Sequence, residues 1–373
     1  MHDTGVLTDG YPKYDADVFT YDGPFEMVEG EGGELVVVKT LSIFPNGDGG
    51  KFVPSARGTV TYEGAVIDAD GVVGKVTLKM TKPNKKGLFN LTATVKTADK
   101  KSYTFKAKKV QAPAEGPLEM SLEGSNKKSK EHKLTVTLEG NSLRGAFDGA
   151  QIDGASDAFK DRKSKRAEAI KPFEGTWTGA FADGLVSFSA KLTKAGKAKV
   201  KVVLPGGKAA SCSAKAEVGD LSDGIIAVPV TVRKSAKDGV TTFGFRLAFD
   251  MADGKLVCQV VDISPLTLTD KKTGAVTGSV RMDFSSASRL TMTSKAFKAL
   301  PVNLPEALTA KLGQPTKVSL KMASTGIISG SLKFGKVGAK ASGIVIGDKG
   351  IGQLTVKQGQ TEEVFGFTVG SVK

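Results

Sequence analysis

The chain has 373 residues, room for about two domains, and its 40% hydrophobic content suffices for packed cores, which excludes a wholly disordered chain. Its formal net charge is +14, but residues 1–35 hold nine acids (Asp3, Asp9, Asp15, Asp17, Asp22, Glu26, Glu29, Glu31, Glu34) against Lys13 alone, leaving +22 for the remainder. Only eight of the 53 basic residues are arginine, so forked recognition of phosphate or guanine is not the expectation.

Residues 1–34 read as an acidic lead-in with weak structural signals, and "MHDTGVLTDGYP" has neither the basic nor the apolar stretch of a signal peptide. From there the pattern changes to period two. In "KVTLKMTK", Val76, Leu78 and Met80 face one way and Lys75, Thr77, Lys79 and Thr81 the other. Pro83, Asn84 and Gly87 make a turn. Phe89, Leu91, Ala93 and Val95 then alternate with Asn90, Thr92, Thr94 and Lys96, and after "ADKK" Tyr103, Phe105 and Ala107 alternate with Ser102, Thr104 and Lys106. This predicts a three-strand antiparallel meander with one apolar face and one lysine–threonine face. The lysines are then mainly turn and wet-face residues that keep strand edges from pairing with other chains.

"SDAFKDRKSKRAEAIKPFEG" predicts a short helical linker, capped by Ser156 or Asp157 and ended by Pro172. The meander pattern returns about 110 residues on. Val186, Phe188, Ala190 and Leu192, then Ala198, Val200, Val202 and Leu204, then Ala210, Cys212, Ala214 and Ala216 alternate across the turns "KAGK" and "PGGK", as an internal duplication would. A second helix is predicted over 304–315, with Pro305 in its first turn and Gly313 as its cap, and a third meander-like pass over 318–356. The expected fold class is all-β: two consecutive antiparallel meander β-barrel or curled-sheet domains, at 35–155 and 172–373, joined by the helical linker 156–171.

The strings "GTVTYEGAVIDADGVVGKVTLKMTKPNKKGLFNLTATV", "LRGAFDGAQIDGASDAFKDRKSKRAEAIKPFEGTWTGAF" and "ASTGIISGSLKFGKVGAKASGIVIGDKGIGQLTVKQG" occur in that order. With their "KPNKK-G" turn, their "F-G-W" opening of the second unit and their closing glycine-rich hairpins, they resemble a paired β-barrel module of large secreted or surface proteins from Planctomycetes–Verrucomicrobia–Lentisphaerae bacteria. The resemblance spans about residues 55–373 and implies fold more than activity. It implies a non-catalytic structural, adhesion or assembly module, extracellular or at the cell surface, with no catalytic residues and no cofactor to carry over.

The residues themselves offer little chemistry. Histidine occurs twice, and His132 in "SKEHKLTV" is expected at a strand start facing solvent, without the base-and-orienter relay of a nucleophilic site. Two distant cysteines supply no zinc set. Cys212 and Cys258 share faces with apolar neighbours, which leaves open a disulfide bridge or two buried thiols. The Asp–Gly clusters at 46–50, 68–71 and 147–157 lack the closing Glu of a calcium loop and read as turns. Asp68, Asp70, Asp148 and Asp153 are the carboxylates a glycosidase reading would draw on. The single tryptophan, Trp177, is expected in a barrel core, or lining a pocket if the second barrel binds a glycan or small ligand. Acidic glycans or other surface proteins are the expected partners, through the net field alone. Specific nucleic-acid binding is not expected, because the aromatics alternate inward, away from the lysines. No stretch nears the roughly eighteen apolar residues of a membrane helix.

Overall fold

A computed structural model describes residues 27–29, 35–37, 52, 58–156, 165–218, 226–237, 239–252, 255–359 and 361–370. The protein is all-β and every strand pair is antiparallel. Across the boundary between the lead-in and the first domain, β1 (Met27–Glu29) and β2 (Leu35–Val37) pair antiparallel.

Eight strands then form a closed barrel: β3 (Val60–Asp68), β4 (Gly71–Met80), β5 (Phe89–Thr97), β6 (Ser102–Val110), β7 (Leu118–Gly124), β8 (Leu134–Glu139), β9 (Ser142–Phe147) and β10 (Ala150–Ser156), with β10 returning to β3. The predicted meander is β4–β5–β6, in register through Leu78↔Ala93 and Ala93↔Phe105. Its inward residues join Tyr62, Leu134, Val136 and Ile152 in one buried cluster that fills the barrel. The weakest seam is β6–β7, held by only two paired positions, and the helical turn α1 (Lys127–Lys130) covers it. There the buried Ser129 hydroxyl accepts from the Thr104 amide at 2.9 Å. Closure also needs close backbone approach between β10 and β3. A Cβ on Gly154 would lie 2.2 Å from the Glu63 carbonyl oxygen.

The linker expectation meets the structure in part. Ser156 ends β10 and its hydroxyl bonds the Asn141 side chain at 3.1 Å; Asp157 and the residues up to 164 lie outside the described residues; α2 (Lys165–Ile170) is helical. Next come β11 (Gly175–Phe181), β12 (Val186–Leu192), β13 (Lys197–Val203) and β14 (Ala209–Lys215). β15 (Glu217–Val218), β16 (Ile226–Ala236), β17 (Gly239–Ala252) and β18 (Lys255–Val261) follow, and β21 (Phe284–Arg289) returns to β11 as β10 returns to β3. A two-strand ribbon, β19 (Leu266–Thr269) and β20 (Val276–Val280), extends from β17. The two sheets curl around one core in which Phe181, Phe188, Phe243, Phe245 and Phe249 are fully buried.

The remaining residues build a third sheet, in the order β22 (Val302–Asn303), β27 (Thr361–Val369), β26 (Lys349–Gln358), β25 (Val337–Ile346), β24 (Ile327–Phe334), β23 (Lys317–Met322). It has its own core, which includes Phe297 of α3 (Ser294–Lys298) and Leu308 of α4 (Glu306–Leu312). Pro305 is the N-cap of α4 and Gly313 its C-cap. The outer face of the second unit packs on this sheet through Ala180, Val203, Ile327 and Ile344. Gln353, almost fully buried, donates to the Leu185 carbonyl at 2.9 Å across that junction.

The closed barrel meets the second unit along β4, β16 and β17. Outward residues Ala65, Ile67 and Val72 of the barrel, and Ala227, Ala248 and Val261 of the second unit, are buried, as outer-face residues are only when a neighbour covers them. At this seam Arg246 of β17 is completely buried between two carboxylates, its Nη1 2.6 Å from Asp153 of β10 and its Nε 2.6 Å from Asp262. The Val72 amide donates to the Asp262 carbonyl at 3.0 Å, and Lys75 Nζ to the Ser213 carbonyl at 3.2 Å. Lys75, expected on the wet face, is therefore part of an internal seam.

Removing one member of a buried ion triad strands charge in a dry site. Arg246→Met should cost about 3–5 kcal/mol in denaturant unfolding. In the barrel, Gly154→Val should cost about 1–3 kcal/mol by overpacking, whereas Gly338→Ala, where a Cβ meets nothing within 4 Å, should stay within about 0.5 kcal/mol.

Candidate functional site

Trp177 stands on β11 with 1% of its surface exposed. Its indole Nε1 donates to the Phe173 carbonyl at 2.9 Å, and its ring meets Phe249 edge-on at 5.2 Å between centroids. The ring is thus a core member with its one polar atom satisfied, and the pocket-lining alternative is not what the packing provides.

Cys212 on β14 and Cys258 on β18 are both free thiols packed against that core. The strands that carry them are separated by β16 and β17, so the bridge left open by the sequence is not formed. Burial pushes both thiols above their ordinary range, Cys258 most strongly, which disfavours the nucleophilic thiolate.

The carboxylates disperse among structural tasks. Asp68 Oδ1 accepts from the Asp70 amide at 2.8 Å in the β3–β4 turn, and Asp70 pairs with Arg281 at 3.0 Å. Burial raises the Asp68 carboxyl above its usual value. Asp153 is the buried partner of Arg246. Burial also pushes Asp262 upward, while Arg246 pulls it back and Asp153 adds to the rise. The Asp–Gly cluster at 46–50 lies outside the described residues.

Asp148 has a partner that sequence reasoning did not assign. His132 Nδ1 lies 2.5 Å from its Oδ2, and the Lys133 amide donates to its Oδ1 at 2.8 Å. The His132 ring stacks on Phe147 and sits 4.1 Å from the Tyr103 ring, and Lys128 Nζ lies over the other ring of that pair at 5.0 Å. His132 is therefore half-buried rather than turned wholly to solvent. His132 lies just before β8 and Asp148 in the β9–β10 turn, so the pairing of β8 with β9 brings them together. Among the described residues no hydroxyl or thiol is hydrogen-bonded to this imidazole, whose partner is the Asp148 carboxylate. No group of three His, Cys, Asp or Glu side chains among the described residues is placed to hold a metal ion.

Two surface depressions lie outside the closed barrel's interior and outside the core of the second unit. One, about 520 Å³, runs between β13 and the third sheet; the other, about 360 Å³, lies beside α4 around Asn303 and Glu306. No described helix is long and apolar enough to cross a membrane. Fold and side chains together define an all-β protein with one closed, filled barrel and curled sheets packed beside it. The chain matches no protein-family model and no curated protein.

A thiol count tests the cysteine assignment. Ellman's reagent should react with neither cysteine rapidly in the folded protein and with both after denaturation without reductant, and reductant should leave the melting temperature unchanged. A count of zero in denaturant would mean a bridge.

Proposed function

We propose that the chain is a non-catalytic structural, adhesion or assembly module of a secreted or cell-surface bacterial protein. The observation that carries this reading is where the buried charge goes. The constellation of ionisable groups most removed from water, Asp153–Arg246–Asp262, fastens one β-unit to the next and has no access to a substrate. Enzymes place such perturbed groups in a cleft. Filled interiors weigh in the same direction, because a ligand-binding barrel keeps a lined cavity, whereas the closed barrel and the core of the second unit are occupied by Val, Leu and Phe. Units joined rigidly in series suit a spacer.

The enzyme alternative has one concrete candidate, the His132–Asp148 pair. A panel of chromogenic glycosides, esters and phosphoesters, assayed across the range in which histidine titrates, should give no turnover above buffer for either the wild type or His132→Ala. Turnover by the wild type that His132→Ala abolishes would overturn the proposal. Antibody labelling of intact cells of the native host should find the protein outside.

A further inference from the structure

β13 presents Lys197, Lys199 and Lys201 on its outer face, all exposed, while Ala198, Val200 and Val202 fill the core. Alternate residues of a strand lie about 6.7 Å apart, so these ammonium groups form a regular row. Lys199 sits directly across the ladder from Lys191, also exposed. Two like charges in facing positions destabilise a sheet, and no carboxylate bridges Lys191, Lys197, Lys199 or Lys201 among the described residues. Elsewhere on the surface the fold does neutralise lysines, with Asp99 beside Lys101 and Glu363 beside Lys311. The row on β13 is left charged.

That row runs into the groove of about 520 Å³ between β13 and the third sheet. Lys201 forms one wall and Lys340 of β25 lies in the other, with Ser329, Ser331, Ser342 and Thr355 between them. Lys340 stands across the ladders from Ser331 and Thr355, and Lys201 across from Ser189 and Ser211, with Ser331 and Ser211 exposed and Ser189 and Thr355 buried. The turn at Pro205–Gly207 closes one side. An acid beside the Gly206 rim, Glu362, pairs with Lys357 at 3.0 Å. No aromatic ring and no arginine lines the groove.

We infer that this groove, with the lysine row leading into it, binds a segment of acidic polysaccharide whose sulfate or carboxylate groups recur along the chain. Periodic ammonium groups match periodic anions, and serine and threonine hydroxyls match sugar hydroxyls. Single-stranded nucleic acid would gain phosphate contacts but no stacking surface, which is where such binding finds much of its strength. The site goes beyond the spacer reading and stands on its own geometry; its failure would leave that reading intact.

The test uses a heparin-derived octasaccharide as the acidic glycan, with neutral dextran and a thymidine oligonucleotide of equal charge as comparators. Binding is measured by calorimetry at low salt and again at raised salt. The octasaccharide should bind, dextran should not, and binding should weaken as salt rises. Lys199→Ser/Lys201→Ser/Lys340→Ser should lose about tenfold or more in affinity, against less than about twofold for Lys85→Ser/Lys86→Ser/Lys108→Ser, which removes the same charge from the closed barrel. All six lysines are exposed, so both variants should keep the wild-type melting temperature, and Lys201→Arg/Lys340→Arg should keep most of the affinity. Equal losses in the two triple variants would reduce the effect to net charge and overturn the site. Absence of octasaccharide binding at low salt, or equally tight oligonucleotide binding lost in the same groove variant, would also overturn it.

Discussion

Arg246 cannot be exposed without separating two β-units, and it cannot stay buried without Asp153 and Asp262. A guanidinium in a dry seam is tolerated only when its charge is matched and its hydrogens are directed at acceptors, and here two carboxylates approach it to 2.6 Å from different parts of the chain. Asp153 belongs to the last strand of the closed barrel, the strand that pairs back with β3, so the folded triad spans the barrel's closing strand and the second unit. Around the triad, small side chains such as Ala65, Ala227 and Ala248 let the two curved surfaces meet closely. At Gly244 a Cβ would collide with the Val72 carbonyl oxygen at 2.2 Å.

The alternation of apolar and polar residues was enough to read the strands. The predicted meanders coincide with β4–β6 and β12–β14, because an inward set such as Val200 and Val202 recurs at the period the pleat imposes. The α4 helix was legible from Pro305 and Gly313, whose backbone preferences act locally. What the sequence could not display was long-range neighbourhood. Asp153 looked like a turn residue of an Asp–Gly cluster, and its partner lies 93 positions away. Lys75 carried the same alternation as Lys79, yet one is half-buried against Ser213 and the other exposed. His132 and Asp148 meet only because β8 and β9 pair.

The same logic sorts the lysines. On β4–β6 most stand beside threonine and serine on a solvated face, as period-two reading implies. On β13 the pattern is the same but the neighbourhood differs. There the third sheet rises beside the strand, so the lysine row ends in a groove rather than on an open surface. Only tertiary placement distinguishes a charge that keeps a sheet hydrated from one that can meet a ligand on two sides.

The claim that the seam makes one rigid body rests most directly on the amide of Val72, which donates across it to Asp262. Native-state hydrogen exchange compares this amide with that of Ala93, in the middle of β5 within the filled barrel. If the units separate only when the protein unfolds, Val72 should be protected nearly as strongly as Ala93. Exchange at Val72 orders of magnitude faster, with Ala93 still protected, would mean that the units part while each stays folded, and would contradict the account.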